Sequence, residues 1–234
     1  MLAGTGFLAR KDDRLFYVTA RHCLTKDHKA DIAEFAGKLH VPFSLVGRTN
    51  GSDDFVRFTE TYSLRHASED IPGNMVDLVV LSVAPPAKDK QWKRLVSRAV
   101  RLPPSGQWLD GFFGQELVQK NIANGRGPGF VMIGYPDSGT GSSIRYPDAN
   151  EPVQINAQPA KIRGFLAGGS YPNRLKLTEV SWEHGLSGFS GSPVFVGFKD
   201  KNGHQYALAG LAVTGGGAKT EFIKVGLITQ AIGA

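Results

Sequence analysis

Three residues suited to nucleophilic catalysis stand far apart along the chain, in the order His22, Asp77 and Ser190. Ser190 lies in the glycine-rich stretch 185–193, where the backbone can expose a nucleophilic hydroxyl and turn N–H groups toward developing negative charge. His22 follows an apolar run, and Asp77 is a lone carboxylate inside one, where an unpaired charge is costly to bury. A buried carboxylate beside an imidazole fixes its tautomer and stabilises the imidazolium that forms when histidine removes a serine proton.

Each residue alone has a simpler interpretation. A single histidine is more often an ordinary core or surface residue, an aspartate can bond to strand backbone, and serine with glycine is common in turns. The three together, in this order, make those interpretations improbable. Cys23 is a strong nucleophile type, but it adjoins the histidine and serine occupies the nucleophile position.

The elements that must position these residues are short strands. Residues 4–10 and 14–20, separated by charged residues, predict a β-hairpin that ends just before His22. The β-branched run 75–83 predicts a buried strand that carries Asp77. Further strands are predicted at 41–46, 54–58, 130–134, 153–156, 161–165, 175–178, 193–198, 206–214 and 222–228.

Composition bounds the class of protein. The 234 residues are 41% hydrophobic and 21% charged, which is typical of a globular chain. No apolar run approaches the roughly 20 residues that span a bilayer, and the N-terminus lacks the features of a secretory signal. The single cysteine excludes an internal disulfide and favours a reducing compartment, so we predict a cytoplasmic protein without a membrane partner.

The net charge of +6 comes from basic residues that are scattered along the chain. Such scatter favours a solvated surface over a nucleic-acid interface, so we expect no nucleic-acid partner. The six histidines and one cysteine show no metal-ligand spacing, and we expect no metal and no cofactor.

Four ordered motifs carry a resemblance to a known family. They are Gly-Thr-Gly-Phe at 4–7, Val-Thr-Ala-Arg-His-Cys at 18–23, Val-Asp-Leu-Val-Val-Leu at 76–81 and Gly-Phe-Ser-Gly-Ser-Pro-Val at 188–194. Together they resemble the landmarks of trypsin-like (chymotrypsin-fold) serine peptidases. Gly-Tyr-Pro at 134–136 and Leu-Ala-Gly-Leu at 208–211 are similar to bacterial members in particular.

The resemblance implies an all-β fold of two antiparallel six-stranded β-barrels, with the active site in the cleft between them. We expect an N-terminal barrel at 1–104, an irregular connector at 105–128 and a C-terminal barrel at 129–234. By the same resemblance, Ser190 is the nucleophile, His22 the general base and then acid, and Asp77 the orienting carboxylate. The N–H groups of Gly188 and Ser190 form the oxyanion hole.

The chain departs from the family at one loop position. Phe189 stands where zymogen-forming relatives carry an aspartate that pairs with a newly cut N-terminal amine. An aromatic ring cannot make that ion pair, so the loop is either ordered from the outset or ordered by a partner.

The family's layout also implies a substrate-binding region. No aspartate marks the pocket base, so selectivity for Lys or Arg is not expected. His184 either favours acidic or polar side chains or points elsewhere. The implied pocket residues are His184, Gly185 and Leu186 on one side, with Val213, Thr214, Gly215 and Gly216 on the other.

We therefore predict a serine endopeptidase of limited specificity that hydrolyses peptide bonds through an acyl-enzyme. The expected partners are a protein or peptide substrate and a regulatory domain or partner protein. The alternative is a catalytically silent trypsin-like domain that binds peptides or proteins. A third class, a basic nucleic-acid binder, lacks interleaved basic and aromatic residues on any predicted surface.

Overall fold

The computed structural model of the chain gives its strands, helices and side-chain contacts. It describes residues 4–26, 30–49, 52–65, 75–86, 88–103, 106–124, 127–145, 152–167, 173–180, 182–183, 185–200 and 203–233.

Strands predominate among the described elements. The strands are β1 Gly6–Lys11, β2 Arg14–Thr19, β3 Val46–Thr49, β4 Phe58–Arg65, β5 Met75–Val83, β6 Val100–Arg101, β7 Gly129–Gly134, β8 Ser143–Arg145, β9 Val153–Asn156, β10 Ala160–Leu166, β11 Arg174–Thr178, β12 Pro193–Asp200, β13 Gly203–Gly216 and β14 Lys219–Lys224. The α-helices are α1 Ile32–Ala36, α2 Asp89–Arg98, α3 Trp108–Phe113, α4 Glu116–Ala123 and α5 Val225–Gly233.

The first half of the chain forms a five-stranded sheet in the order β4-β5-β2-β1-β6. Strands β1 and β2 are the predicted hairpin, and their antiparallel register pairs Gly6 with Thr19 and Lys11 with Arg14. Strand β5 lies beside β2 in the buried centre of the sheet, which confirms the strand predicted at 75–83. The sheet thus places the end of β2 next to the start of β5.

The second half forms a closed six-stranded barrel in the order β10-β11-β14-β13-β12-β7, closed by the antiparallel pair β7–β10. Strand β10 shows the alternation that a barrel wall requires. Ala160, Ile162 and Gly164 are buried, whereas the intervening Lys161 and Arg163 are exposed. Strands β12 and β13 of this barrel follow the loop at 185–192, which carries Ser190 and is called the serine loop.

The interior is continuous between the two halves. The largest cluster of buried apolar side chains includes Phe16 and Val18 from β2 together with Phe130 and Phe222 from the barrel. Helix α5 adds apolar residues spaced three and four apart, which is the spacing of one helical face. Its buried residues are Val225, Ile228, Ala231 and Ile232.

The double-barrel prediction holds only in part. The C-terminal barrel has six antiparallel strands, but the described first-half strands form an open five-stranded sheet, and its β1–β6 pair is parallel. In the run predicted as a strand at 41–46, Pro42 forms an isolated bridge with Phe55, and only Val46 enters a strand, as the first residue of β3. Strand β3 pairs instead with β9 of the second half, in a separate sheet of order β3-β9-β8. The chain is therefore mostly β, with one closed barrel and two further sheets.

The segment expected to be an irregular connector is partly helical. Helices α3 and α4 occupy Trp108–Phe113 and Glu116–Ala123. Glycines suggested irregular structure here, but Gly111 lies inside α3, and Gly114 at its C-terminal cap keeps helical φ and ψ values of −70° and −12°.

Within the described part of the chain, no helix combines the length and apolar character needed to cross a membrane.

Candidate active site

Asp77 is a partly exposed carboxylate on an otherwise buried strand. Its neighbours Val76 and Leu78 are 3% and 0% exposed, whereas the Asp77 side chain is 20% exposed. A carboxylate this close to an apolar interior requires compensating hydrogen bonds or an opposite charge. His22 supplies two hydrogen bonds to this carboxylate.

His22 lies in a short 3₁₀ turn, Arg21–Cys23, which directly follows β2. Its backbone N–H donates to Asp77 Oδ1 at 3.0 Å, and its ring Nδ1 lies 2.7 Å from Asp77 Oδ2. An ionised carboxylate only accepts hydrogen bonds, so in the neutral ring Nδ1 carries the proton. The other ring nitrogen, Nε2, then keeps its lone pair and can accept a proton.

The ionisation of Asp77 is governed by two opposing effects. Burial raises the pKa of its carboxyl group, but the hydrogen bonds and electrostatic interaction with His22 outweigh this, and Arg174 adds a smaller electrostatic contribution. The pKa of Asp77 therefore lies below its usual value. The carboxylate stays charged at neutral pH and fixes the orientation of the imidazole.

Ser190 is presented by a turn that only glycine can build. Gly188 and Gly191 have φ values of 85° and 86°, which side chains rarely tolerate. A Cβ on Gly188 would lie 2.7 Å from both the Tyr135 carbonyl oxygen and the Asp137 nitrogen. A Cβ on Gly191 would overlap the Thr5 carbonyl oxygen.

The serine turn packs against the segment that carries the histidine. The Sγ of Cys23, the residue after His22, lies 3.4 Å from the Ser190 carbonyl oxygen. The Ser190 hydroxyl donates a long hydrogen bond of 3.4 Å to the Val213 carbonyl. Among the described residues, no hydrogen bond joins Ser190 Oγ to His22. The structure thus brings the two segments together, with the hydroxyl turned toward β13.

The backbone around Ser190 includes two N–H groups, those of Gly188 and Ser190, that have no hydrogen-bond partner in the described part of the chain. The Ser187 carbonyl accepts from the Asp137 N–H at 3.2 Å, and the Phe189 carbonyl accepts from the Ser192 N–H at 3.0 Å. Because these peptides are trans, the N–H groups of Gly188 and Ser190 point the opposite way from those carbonyls. Neither N–H donates a hydrogen bond to any described residue.

Phe189 is an apolar anchor for the same turn. Its side chain is 2% exposed and makes an edge-on contact with Trp182, with ring centroids 6.0 Å apart. Its backbone N–H donates to the Leu186 carbonyl at 3.2 Å. Apolar packing and this backbone hydrogen bond therefore hold the turn at Phe189.

Most of the predicted substrate-binding residues lie along two neighbouring segments. The Leu186 side chain reaches Gly215, where an added Cβ would lie 2.9 Å from Leu186 Cδ1. Val213 is buried, whereas Gly185, Thr214, Gly215 and Gly216 are exposed. His184 lies outside the described residues.

The end of β13 has one open edge. Residues 214–216 pair with β14 on one side, from Thr214–Glu221 to Gly216–Lys219. On the other side, the pairing of β13 with β12 ends at Leu211–Pro193. Beyond Ala212, which bonds to Gly191 and Ser192, this edge has no strand partner in the described part of the chain. Such an edge can accept an extended peptide.

Cys23 is not a competing nucleophile. It is a free, buried thiol, and burial raises its pKa to about 11. Thiol chemistry requires the thiolate, which this environment disfavours at neutral pH.

Sequence reasoning missed the part that Thr5 plays. The Gly-Thr-Gly-Phe motif pointed to this segment, but it assigned no role to the threonine. In the structure, Thr5 hydrogen-bonds to both Gly188 and Ser190. Val213 was expected as a pocket wall, yet it is its carbonyl oxygen that contacts the Ser190 hydroxyl.

The described residues contain no group of three or more His, Cys, Asp or Glu side chains placed to hold a metal ion.

Comparison with known proteins gives distant likenesses among solved structures alone. No family model matches the chain, and no curated protein matches it. Among solved structures, one described as "atomic resolution structure of HBP" is 13% identical, with a TM-score of 0.48. The match covers 100% of this chain and 90% of that one.

Proposed function

We propose that this chain is a serine endopeptidase with His22, Asp77 and Ser190 as its catalytic triad. The observation that carries the proposal is the double hydrogen bond from His22 to the Asp77 carboxylate. A structural aspartate needs no imidazole held in one tautomer. A general base that must accept a proton at Nε2 does need one.

In the proposed reaction, Ser190 Oγ attacks the carbonyl carbon of the scissile peptide while His22 Nε2 takes the hydroxyl proton. The positive charge that forms on His22 is stabilised by Asp77. The carbonyl electrons move onto oxygen, which the N–H groups of Gly188 and Ser190 bind. His22 then protonates the leaving amine, and the C–N bond breaks to give an acyl-enzyme. A water molecule, deprotonated by His22, hydrolyses this ester and restores Ser190.

The Ser190 hydroxyl must rotate for the reaction to begin. It bonds to Val213, so the proposed reaction requires a change of χ1 to another staggered rotamer that directs Oγ toward His22. Nucleophile–base hydrogen bonds are often long or misaligned without substrate. Peptide docking along β13 would engage the same strand that holds the hydroxyl.

The architecture that accompanies this proposal is that of a bacterial-type trypsin-like peptidase. The five-stranded sheet β4-β5-β2-β1-β6 corresponds to the first barrel and supplies Asp77, with His22 directly after β2. The closed barrel corresponds to the second and supplies Ser190 from the loop before β12. The cleft between them holds the site.

The substrate is proposed to be a protein or peptide in extended conformation. The open edge of β13 at residues 214–216 offers backbone groups for an added strand, and the side chain before the scissile bond lies near Gly185 and Leu186. A regulatory domain or partner protein remains part of the proposal. The proposed enzyme does not select for Lys or Arg before the scissile bond, because no aspartate marks the base of the pocket in the sequence.

A peptide-library cleavage assay on the wild type and Ser190→Ala tests the proposal. We expect cleavage by the wild type and loss of all cleavage in the variant, which removes only the Oγ atom. Equal cleavage by both proteins would contradict the proposal.

The second candidate is a catalytically silent trypsin-like domain that binds peptides. The observation that favours it is that Ser190 Oγ bonds to Val213 rather than to His22. This candidate predicts that the wild type cleaves no library peptide yet retains some of them, and that Ser190→Ala retains the same peptides.

A further inference from the structure

Thr5 stands where the first half of the chain meets the serine loop. Its backbone N–H donates to the Ser190 carbonyl oxygen at 2.7 Å, and its hydroxyl donates to the Gly188 carbonyl oxygen at 2.7 Å. Thr5 is only 3% exposed, so little water competes for these bonds. It therefore holds the backbone on both sides of Phe189.

Thr5 is itself fixed by two further hydrogen bonds. Its Oγ1 accepts from the Tyr135 N–H at 2.8 Å, and its carbonyl oxygen accepts from the Thr19 hydroxyl at 2.8 Å. Because Oγ1 already accepts from Tyr135, its own hydrogen is free to point at Gly188. Through its side chain and backbone together, Thr5 thus joins the first sheet, the segment after β7 and the serine loop.

These bonds act next to the N–H groups of Gly188 and Ser190, which have no partner among the described residues. The carbonyl and the N–H of Gly188 are related by that residue's own φ and ψ, and the same holds for Ser190. Holding both carbonyls with Thr5 therefore restricts the directions that both N–H groups can take. Neither bond from Thr5 to the loop involves a charged group.

The close approach depends on the loop's own sequence as well. Gly191 has no side chain at the point where a Cβ would overlap the Thr5 carbonyl oxygen. The contact therefore depends on the hydrogen bonds of Thr5 and on the absence of a side chain at Gly191.

We propose that Thr5 is a positioning residue that orders the oxyanion loop through uncharged hydrogen bonds. The inference rests on the proposed function and deepens it. Thr5 does here what an ion pair at position 189 does in zymogen-forming trypsin-like enzymes. It touches no substrate and acts through the N–H groups of Gly188 and Ser190.

Burst kinetics with p-nitrophenyl acetate, a small activated ester, test the inference. Thr5→Val keeps the shape of the side chain and the backbone N–H but removes the hydroxyl. We expect the acylation rate constant to fall about 10-fold or more, short of the ~10²–10³-fold loss on removing an oxyanion donor. The apparent dissociation constant of the ester should change less than about threefold, because the hydroxyl acts on the transition state. For Thr5→Ser, both the acylation rate constant and the apparent dissociation constant should stay within about threefold of the wild-type values.

Thr49→Val is the matched control. Thr49 is also a buried threonine, 6% exposed, whose hydroxyl bonds to a carbonyl, that of Val153 at 3.3 Å. Thr49 lies in the β3–β9 pair, and removing its hydroxyl should leave the acylation rate constant unchanged.

The outcomes separate the inference from the function on which it rests. If the wild type shows no burst, or a burst that Ser190→Ala also shows, the proposed function is overturned. A Ser190-dependent burst that Thr5→Val leaves intact overturns the role of Thr5 alone. If Thr5→Val does not fold, Thr5→Ser and Thr5→Ala form a second pair that differs in the hydroxyl. A rate ratio of about 10 between them supports the inference, and equal rates contradict it.

Discussion

Asp77 binds His22 twice, through the backbone N–H at 3.0 Å and through ring Nδ1 at 2.7 Å. The first bond fixes the turn that follows β2, and the second fixes the tautomer of the ring. A single carboxylate therefore sets both the position and the protonation pattern of the histidine. This pairing gives the proposed general base its lone pair at Nε2.

Replacing Asp77 by Asn should abolish most of the activity. An amide nitrogen placed toward Nδ1 donates a hydrogen bond to it, which favours the tautomer with hydrogen on Nε2 and removes the base. We expect the acylation rate constant at neutral pH to fall about 10³–10⁴-fold. Burst kinetics with p-nitrophenyl acetate provide the measurement. Asp53→Asn, which removes an exposed carboxylate paired with Arg57, should acylate at the wild-type rate. Similar rates for both variants would argue against the role of Asp77.

The lowered pKa of Asp77 predicts a pH-dependent contribution to stability. A carboxyl group whose folded pKa is depressed stabilises the protein fully above its unfolded pKa, which is about 3.9 for aspartate. That contribution disappears as pH falls through the lower folded pKa. Urea unfolding of the wild type and Asp77→Asn between neutral and acid pH tests this. The difference in free energy of unfolding should shrink toward the acid end, and a constant difference would count against it.

Gly188→Ala should disable the oxyanion loop. The substitution places a Cβ against the Tyr135 carbonyl and the Asp137 nitrogen at a φ of 85°. The backbone must shift, so we expect acylation to slow about 10²-fold or more. Gly217→Ala is the control, since Gly217 also has a positive φ, of 58°, but no atom within 4 Å of the added Cβ. Equal rates in the two variants would mean that the geometry of Gly188 is not required.

Phe189→Ala should destabilise the protein as well as slow acylation. The side chain is 2% exposed and packs on Trp182, so its removal leaves a cavity beneath the serine turn. We expect the free energy of unfolding to fall by about 3–5 kcal/mol. Phe165→Ala removes a ring that is 47% exposed and should cost less than about 1 kcal/mol. Urea unfolding measures both, and a Phe189 variant as stable as the Phe165 variant would contradict the packing role.

The elements that could be predicted from the sequence are those that local residue patterns determine. The hairpin that leads to His22 and the strand that carries Asp77 were readable because apolar runs of strand length were bounded by charged or Pro-Gly turns. The positive φ values of Gly188 and Gly191 agree with the prediction of a strained, glycine-dependent turn at Ser190.

What could not be predicted depends on long-range pairing. Strand β3 pairs with β9, more than 100 residues later, and no local pattern selects that partner. The contact between Thr5 and Gly188 spans 183 positions, so the motif was visible but its role was not. Helices α3 and α4 were missed because glycine was taken as a sign of irregular structure, whereas Gly111 lies inside α3.

Labelling with a fluorophosphonate, followed by peptide mapping by mass spectrometry, tests the central claim most directly. The reagent phosphonylates a serine only where a base and an oxyanion site activate it. We predict one adduct, on Ser190, in the wild type, and none at this position when His22 is replaced by Ala. An unlabelled wild type, or labelling of Ser190 that is independent of His22, would contradict the account.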